Sequence, residues 1–199
     1  MKKLIKWVIA IALITMIMNS IPTEEDGDIY GDTVRLHILA NSDSTVDQNV
    51  KLIIRDEILK KYGKELSTLS SVSEAQEKIR SLLPKIKEDT EKWLSTLGYS
   101  YSVDASLGEE WYETREYSDF TLPCGRYLSL KIILGEGDGQ NWWCVMYPPM
   151  CLDMACERAP GDDGVVNYSK EEILLISGGK YNIKFKILEE LSRAFSKNS

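Results

Sequence analysis

The hydrophobic pattern changes rhythm along the chain. An apolar run from Trp7 to Met18, broken only by Thr15, follows Lys2, Lys3 and Lys6. A basic stretch and then an apolar stretch is the layout of a secretory signal. The run is shorter than the roughly 20 apolar residues of a membrane span, but Leu4 and Ile5 extend it if Lys6 snorkels. Residues 1–21 therefore read as a signal peptide or an N-terminal anchor, with Met18-Asn19-Ser20 a poor cleavage site. In both cases the lysines stay cytosolic and the body is expected outside the membrane. Residues 22–33, including the acidic stretch 23–32, read as a linker.

A period of two then appears. Val34, Leu36 and Ile38 alternate with Arg35 and His37, which predicts a strand. Thr45 with Gln48 makes a capping-box pattern for a helix whose core face is expected to carry Val46, Val50, Ile53, Ile54 and Ile58, ending near Tyr62-Gly63. Ser73 with Gln76 opens a second helical pattern running through Ala75, Ile79, Leu82, Leu83, Ile86, Trp93, Leu94 and Leu97. Pro84 predicts a kink there, and Gly98 ends the pattern. Alternation returns at Tyr99–Leu107, within Trp111–Phe120, at Leu128–Leu134 and at Asn141–Tyr147; the 135–140 segment reads as a glycine-rich hairpin loop. Short helices are expected at Ser169–Ile176 and Lys184–Phe195. Helices followed by closely spaced strands predict an α+β fold. Residues 34–196 are expected to form a single domain, with a mainly antiparallel sheet of about five strands packed against helices.

Charge and composition narrow the function. The formal net charge is −7, and the only charges in residues 1–21 are lysines, so the body is more acidic still. Such a body repels phosphate backbones, which argues against nucleic acid as a partner. The single histidine, His37, rules out a two-histidine metal site, and nothing in the spacing implies a metal or a cofactor. The four cysteines of an exported chain read as disulfide material. Cys144 and Cys151 flank a Pro148-Pro149 bend and are the preferred pair; Cys124 and Cys156 form a second bridge or remain thiols.

His37 is the chain's one imidazole for catalytic chemistry. Gly135-x-Gly137-x-Gly139 is followed by strand residues, not by the helix that a dinucleotide fingerprint needs. Ser177-Gly178-Gly179-Lys180 has serine–lysine spacing, but its glycines favour a turn. Acidic pairs such as Asp43 with Asp47 carry no sign of desolvation. An exported hydrolase of cell-wall or peptide bonds using His37 with a nearby carboxylate or cysteine stands as the alternative reading, against a hydrogen-bonded structural imidazole. Trp142 and Trp143 must point to opposite faces of a strand, so one of them covers a second layer, lies under a loop or meets a partner.

Two segments carry a family resemblance. The first is Arg35-Leu36-His37-Ile38-Leu39-Ala40-Asn41-Ser42-Asp43-Ser44, continued by Asp47-Gln48, Lys51-Leu52 and Arg55-Asp56. The second runs from Pro123, Gly125 and Tyr127 through the 135–139 loop to Asn141-Trp142-Trp143-Cys144-Val145 and Pro148-Pro149-Met150-Cys151. In these the chain resembles the stage II sporulation protein R family of endospore-forming bacteria. Cys124 departs from the small residue expected there. The resemblance implies a non-catalytic signal, made in the forespore and secreted into the space between forespore and mother cell. There it would activate a membrane-embedded aspartic peptidase from its extracytoplasmic face, and the peptidase would process the precursor of sigma factor E. The expected contact surface is His37, Asn41, Ser42, Asp43 and Asp47 together with Asn141, Trp142 and Trp143. Plain helix capping is the alternative role for Asn41, Ser42 and Asp43. Residues 1–21 would touch membrane if uncleaved.

Overall fold

The computed structural model describes residues 6–8, 11, 14–15, 29–117 and 121–148, with the backbone alone at Glu116. The expected helices beyond residue 168, the Ser177–Lys180 motif, Cys151 and Cys156 lie outside this set. Near the N-terminus the described residues are helical, and Trp7, Val8, Ile11 and Ile14 are exposed. No helix among the described residues is long and apolar enough to cross a membrane. The chain clusters into two compact units.

The larger unit spans Tyr30–Glu110 and Arg126–Tyr168. It holds strand β1 (Val34–Leu39), helix α1 (Thr45–Ile58), helix α2 (Val72–Thr96) and most of strands β2 (Val103–Tyr112) and β5 (Gly125–Leu134), then β6 (Asn141–Tyr147). The smaller unit includes residues 111–125, where β3 (Arg115–Glu116) and β4 (Thr121–Leu122) pair antiparallel. In that unit Leu122 and Cys124 are buried and Trp111 is exposed.

The fold is α+β, and its four-stranded sheet is mixed. Four strands lie in the order β2-β5-β1-β6, with β1 parallel to β5 and antiparallel to β6. The reason is the composition of β1. Val34, Leu36 and Ile38 are buried on one face, while Arg35 and His37 are buried on the other. A strand buried on both faces belongs in the middle of a sheet, so β5 and β6 flank it and do not pair with each other. The 135–140 segment is therefore no hairpin; it passes over the end of β1. The strand expected at Tyr99–Leu107 is redrawn, because β2 starts at Val103 and runs through Tyr112, while β3 at Arg115–Glu116 is a strand within Trp111–Phe120.

Helix α1 begins one residue earlier than the Thr45 pattern implies. Ser44 is the N-cap, and its hydroxyl accepts the Asp47 N–H. Helix α2 is capped by Ser71, not Ser73. Ser71 Oγ accepts from Glu74 N, and the Glu74 carboxylate returns to the Ser70 N–H. Hydroxyl choice is decided by which residue leaves helical dihedrals, and periodicity fixes that only to within a residue or two. Helix α2 continues through Pro84 as one helix and ends at Gly98 (φ +85°), with Tyr99 N bonded to Leu94 O.

The end expected near Tyr62-Gly63 is a π-helical turn, Leu59–Gly63, that leads into another helical turn at Lys64–Leu66. A π turn inserts one residue. The buried stripe Val50, Ile54, Ile58 therefore steps to Leu59, Tyr62 and Leu66. Val46 and Ile53, expected in the core, are exposed at 54% and 42%. Across the step, the buried Tyr62 hydroxyl bonds the Asp89 carboxylate on α2, and Lys61 Nζ reaches the same carboxylate at 2.5 Å. Burial and the adjacent Asp89 push the Tyr62 phenol upward. Burial opposes ionisation of Asp89, but hydrogen bonds from Lys61 and Tyr62 outweigh it and hold that carboxyl low.

Candidate functional site

The two signature segments meet at the end of β1. Where the chain leaves β1, Ala40 O and Asn41 O accept from Gly139 N (3.0 Å) and Asp138 N (3.2 Å). Asn41 Oδ1 accepts from Glu136 N at 3.1 Å, and Asp43 Oδ1 from Gln140 N at 2.7 Å. The loop thus closes over the β1–α1 turn by backbone donors, which explains its glycines. A Cβ at Gly139 would sit 2.3 Å from Ser42 O, and one at Gly135 (φ +61°) would sit 2.1 Å from Asn41 Oδ1.

Beneath the loop, Asp47 in the first turn of α1 is the hub. It is 5% exposed. Its Oδ2 accepts from Ser42 Oγ at 2.6 Å and Asn41 Nδ2 at 3.0 Å, and its Oδ1 accepts from the Tyr101 hydroxyl at 2.7 Å. These bonds, Ser42 foremost and then Tyr101 and Asn41, outweigh burial and hold the carboxyl at about 2, below its ordinary 3.8. One helical turn on, buried Lys51 donates to Gln48 Oε1 (2.6 Å) and Gln140 O (2.8 Å), and burial lowers its pKa. Gln48 Nε2 bonds Ser42 O at 3.0 Å. A further turn along, the Arg55 guanidinium lies over the Trp142 ring at 4.5 Å and pairs with Asp56 at 2.6 Å. A buried polar stripe, Asp47–Lys51–Arg55, thereby ties α1 to the loop and to β6.

The other face of the sheet carries a second cluster. His37 is 8% exposed. Its Nδ1 lies 2.9 Å from Glu110 Oε2, its Nε2 lies 2.8 Å from Asn141 Oδ1, and its ring stacks on Trp143 at 5.7 Å. Lys131, the register partner of His37 on β5, reaches Glu110 Oε1 at 2.8 Å. Burial raises the Glu110 pKa, but hydrogen bonds from Lys131 and His37 more than reverse this, so the carboxyl sits below its usual range. Deeper in the face, Arg35 Nε bonds Cys144 O at 3.2 Å and its guanidinium covers the Tyr127 ring.

The eight expected contact residues are thus gathered at one end of the sheet, but split between its faces. Asn41, Ser42, Asp43, Asp47 and Trp142 lie with α1 and the loop, while His37, Asn141 and Trp143 lie opposite. The tryptophans do point to opposite faces, and both are half-buried. Asn41, Ser42 and Asp43 spend their side chains on the turn itself. Tyr101, Lys51, Gln140, Glu110 and Lys131 complete the two clusters and escaped the sequence reading. Only Lys51 and Arg55 left a signal, as successive i+4 steps from Asp47. His37 with Glu110 has the form of an oriented imidazole, yet Asn141 occupies the nitrogen that would face a substrate. Among the described residues no three His, Cys, Asp or Glu side chains group as metal ligands. Cys144 is buried, and Cys124 is a buried thiol. Cys151 lies outside the described residues.

Fold and site together define an α+β protein whose most elaborate feature is a hydrogen-bonded loop–helix corner at one end of a mixed sheet. The chain belongs to the Stage II sporulation protein R family, whose profile matches residues 31–156. The Stage II sporulation protein R of Bacillus subtilis (strain 168) is 40% identical over 124 residues, which cover 62% of this chain. The match spans 55% of that relative, little more than half its length. No solved structure matches the chain.

Proposed function

We propose that this sporulation protein is an exported signal. It is delivered between forespore and mother cell and activates a membrane-embedded aspartic peptidase by binding its extracytoplasmic face, and the peptidase then processes the precursor of sigma factor E. The observation that carries this reading is the family match across residues 31–156, which includes both segments that build the corner. A ligand activates a receptor by binding its active state better than its inactive one. A corner whose polar groups are already tied to one another presents a fixed surface for that discrimination. Its outward residues, Asp43, Val46 and Ile53, are the contact face; Asn41, Ser42 and Asp47 hold its shape.

Residues 1–21 direct export or anchor the chain, and Cys144 pairs with Cys151 across Pro148-Pro149 in the oxidising space outside. Peptide mapping without reduction tests that pairing. The hydrolase alternative needs a free imidazole nitrogen, and Asn141 lies 2.8 Å from the one that Glu110 leaves, so it ranks second.

The deciding experiment produces the full chain in cells that carry the peptidase and the sigma precursor. Precursor cleavage that depends on this chain is the expected result. An uncleaved precursor beside folded, exported protein overturns the reading.

A further inference from the structure

Helix α1 carries apolar residues on two faces. Val50, Ile54 and Ile58 enter the core, but Val46 and Ile53 stay exposed. Seven positions are close to two turns, so both exposed side chains lie on one face, about 10 Å apart. At roughly 100° per residue, that face lies about opposite Lys51 and Arg55, which meet the loop and Trp142. The chain returning from α2 runs beside it. Asp89 meets Lys61 and Tyr62 just past the end of α1, and the Tyr101 hydroxyl meets Asp47 in its first turn. Residues 89–101 therefore pass back along α1, and Leu97 on that run is exposed at 40%. Exposed apolar side chains scattered singly carry no message, whereas ones that gather mark an interaction site.

The charges around this face choose its occupant. Between Asp43 and Glu57 the charges that reach solvent, Asp43, Asp56 and Glu57, are all acidic; Asp47, Lys51 and Arg55 are buried. Asp43 stands about one turn before Val46, and Asp56 and Glu57 stand about one turn after Ile53. Asp56 pairs with Arg55, so Asp43 and Glu57 bracket the apolar pair. Lys60 and Lys61 come only in the π turn beyond, and Lys61 is held by Asp89. A second copy fits badly. In a two-fold antiparallel pairing that lays Val46 of one copy on Ile53 of another, Asp43 comes level with Asp56 of the second copy and beside its Glu57, which sets acid against acid. We propose that this face docks a cationic amphipathic helix of a partner protein. Apolar side chains seven residues apart on that helix cover Val46 and Ile53, and a Lys or Arg one turn outside each meets Asp43 and Glu57. Resting on the receptor reading above, the helix belongs to the extracytoplasmic part of the peptidase.

In the processing assay, a full chain carrying Val46→Lys and Ile53→Lys should lose about tenfold in processing with its circular dichroism unchanged, because both side chains already lie in water. Wild-type processing by that variant overturns the proposal. A second measurement needs no receptor. A helical peptide of about 18 residues, with leucines seven apart and a lysine one turn outside each, should bind the wild-type full chain saturably in fluorescence anisotropy. Exchanging the peptide's lysines for glutamates, or Ile53→Lys in the chain, should weaken binding about tenfold. No binding, or binding indifferent to either exchange, overturns the docking face. So does a dimer of the wild-type chain that Ile53→Lys dissociates, since a second copy then occupies the face. If the wild-type chain triggers no processing but binds the lysine peptide in an Ile53-dependent way, the receptor reading falls and the docking face stands.

Discussion

Ser42 Oγ donates to Asp47 Oδ2 across 2.6 Å, which joins the turn after β1 to the first turn of α1. Asn41 and Tyr101 converge on the same carboxyl group, so one side chain holds the turn, the helix start and the approach to β2.

Acid sensitivity follows from this. Asp47 titrates at about 2 in the folded chain against an ordinary 3.8, so its contribution is complete above about pH 4 and is lost as the pH falls towards 2. Ser42→Ala removes the strongest of its hydrogen bonds. It should lower stability at neutral pH by about 1 kcal/mol and move the acid-unfolding midpoint upward. Urea titrations at neutral pH and an acid titration followed by circular dichroism check both effects, and an unmoved acid midpoint would contradict the role given to Ser42.

Two glycines provide an internal contrast. Gly139→Ala drives a Cβ to 2.3 Å from a backbone oxygen, whereas Gly108→Ala meets open space. The first should cost about 2 kcal/mol or more and the second less than about 0.5 kcal/mol, measured by denaturant unfolding. Similar costs at both positions would mean that the loop does not press on Ser42.

The His37 cluster separates the two functional readings. His37→Gln keeps a polar side chain between Glu110 and Asn141 but removes acid–base chemistry. Precursor processing should persist within about threefold of wild type, with stability reduced by about 1 kcal/mol. Loss of all processing by a folded His37→Gln chain would favour the hydrolase.

Trp142 and Trp143 should report on different neighbours. A double-mutant cycle of Trp142→Ala with Arg55→Ala should show a coupling of about 0.5–1 kcal/mol, and Trp143→Ala with Arg55→Ala a coupling near zero. Equal couplings would place both rings on one face, against the strand register.

Much of the fold was legible. The alternation at β1, β5 and β6, helices α1 and α2, the glycine stop at Gly98 and the opposed tryptophans all follow from spacing within a few residues, and spacing of that kind is printed in the chain. The loop at 135–140 shows the limit. Its glycines look the same whether they turn a hairpin or pass over another strand, and only the position of β1 between β5 and β6 distinguishes the two. Val46 and Ile53 mark the same limit on α1. Their spacing fits a core face, but the neighbouring Asp47–Lys51–Arg55 stripe is buried instead, because it meets Gln140 and Trp142.

By itself, then, the sequence determined the family, the α+β class, the helical and extended segments and the stretches that carry the corner. Those properties rest on local periodicity and on motif wording. Tertiary structure alone decided the strand order, the parallel β1–β5 pair and the partners of Asp47 and His37. The physical reason is distance along the chain. Lys51 meets Gln140 from 89 positions away and His37 meets Asn141 from 104, and each contact forms only because burying β1 on both faces brings those remote segments together.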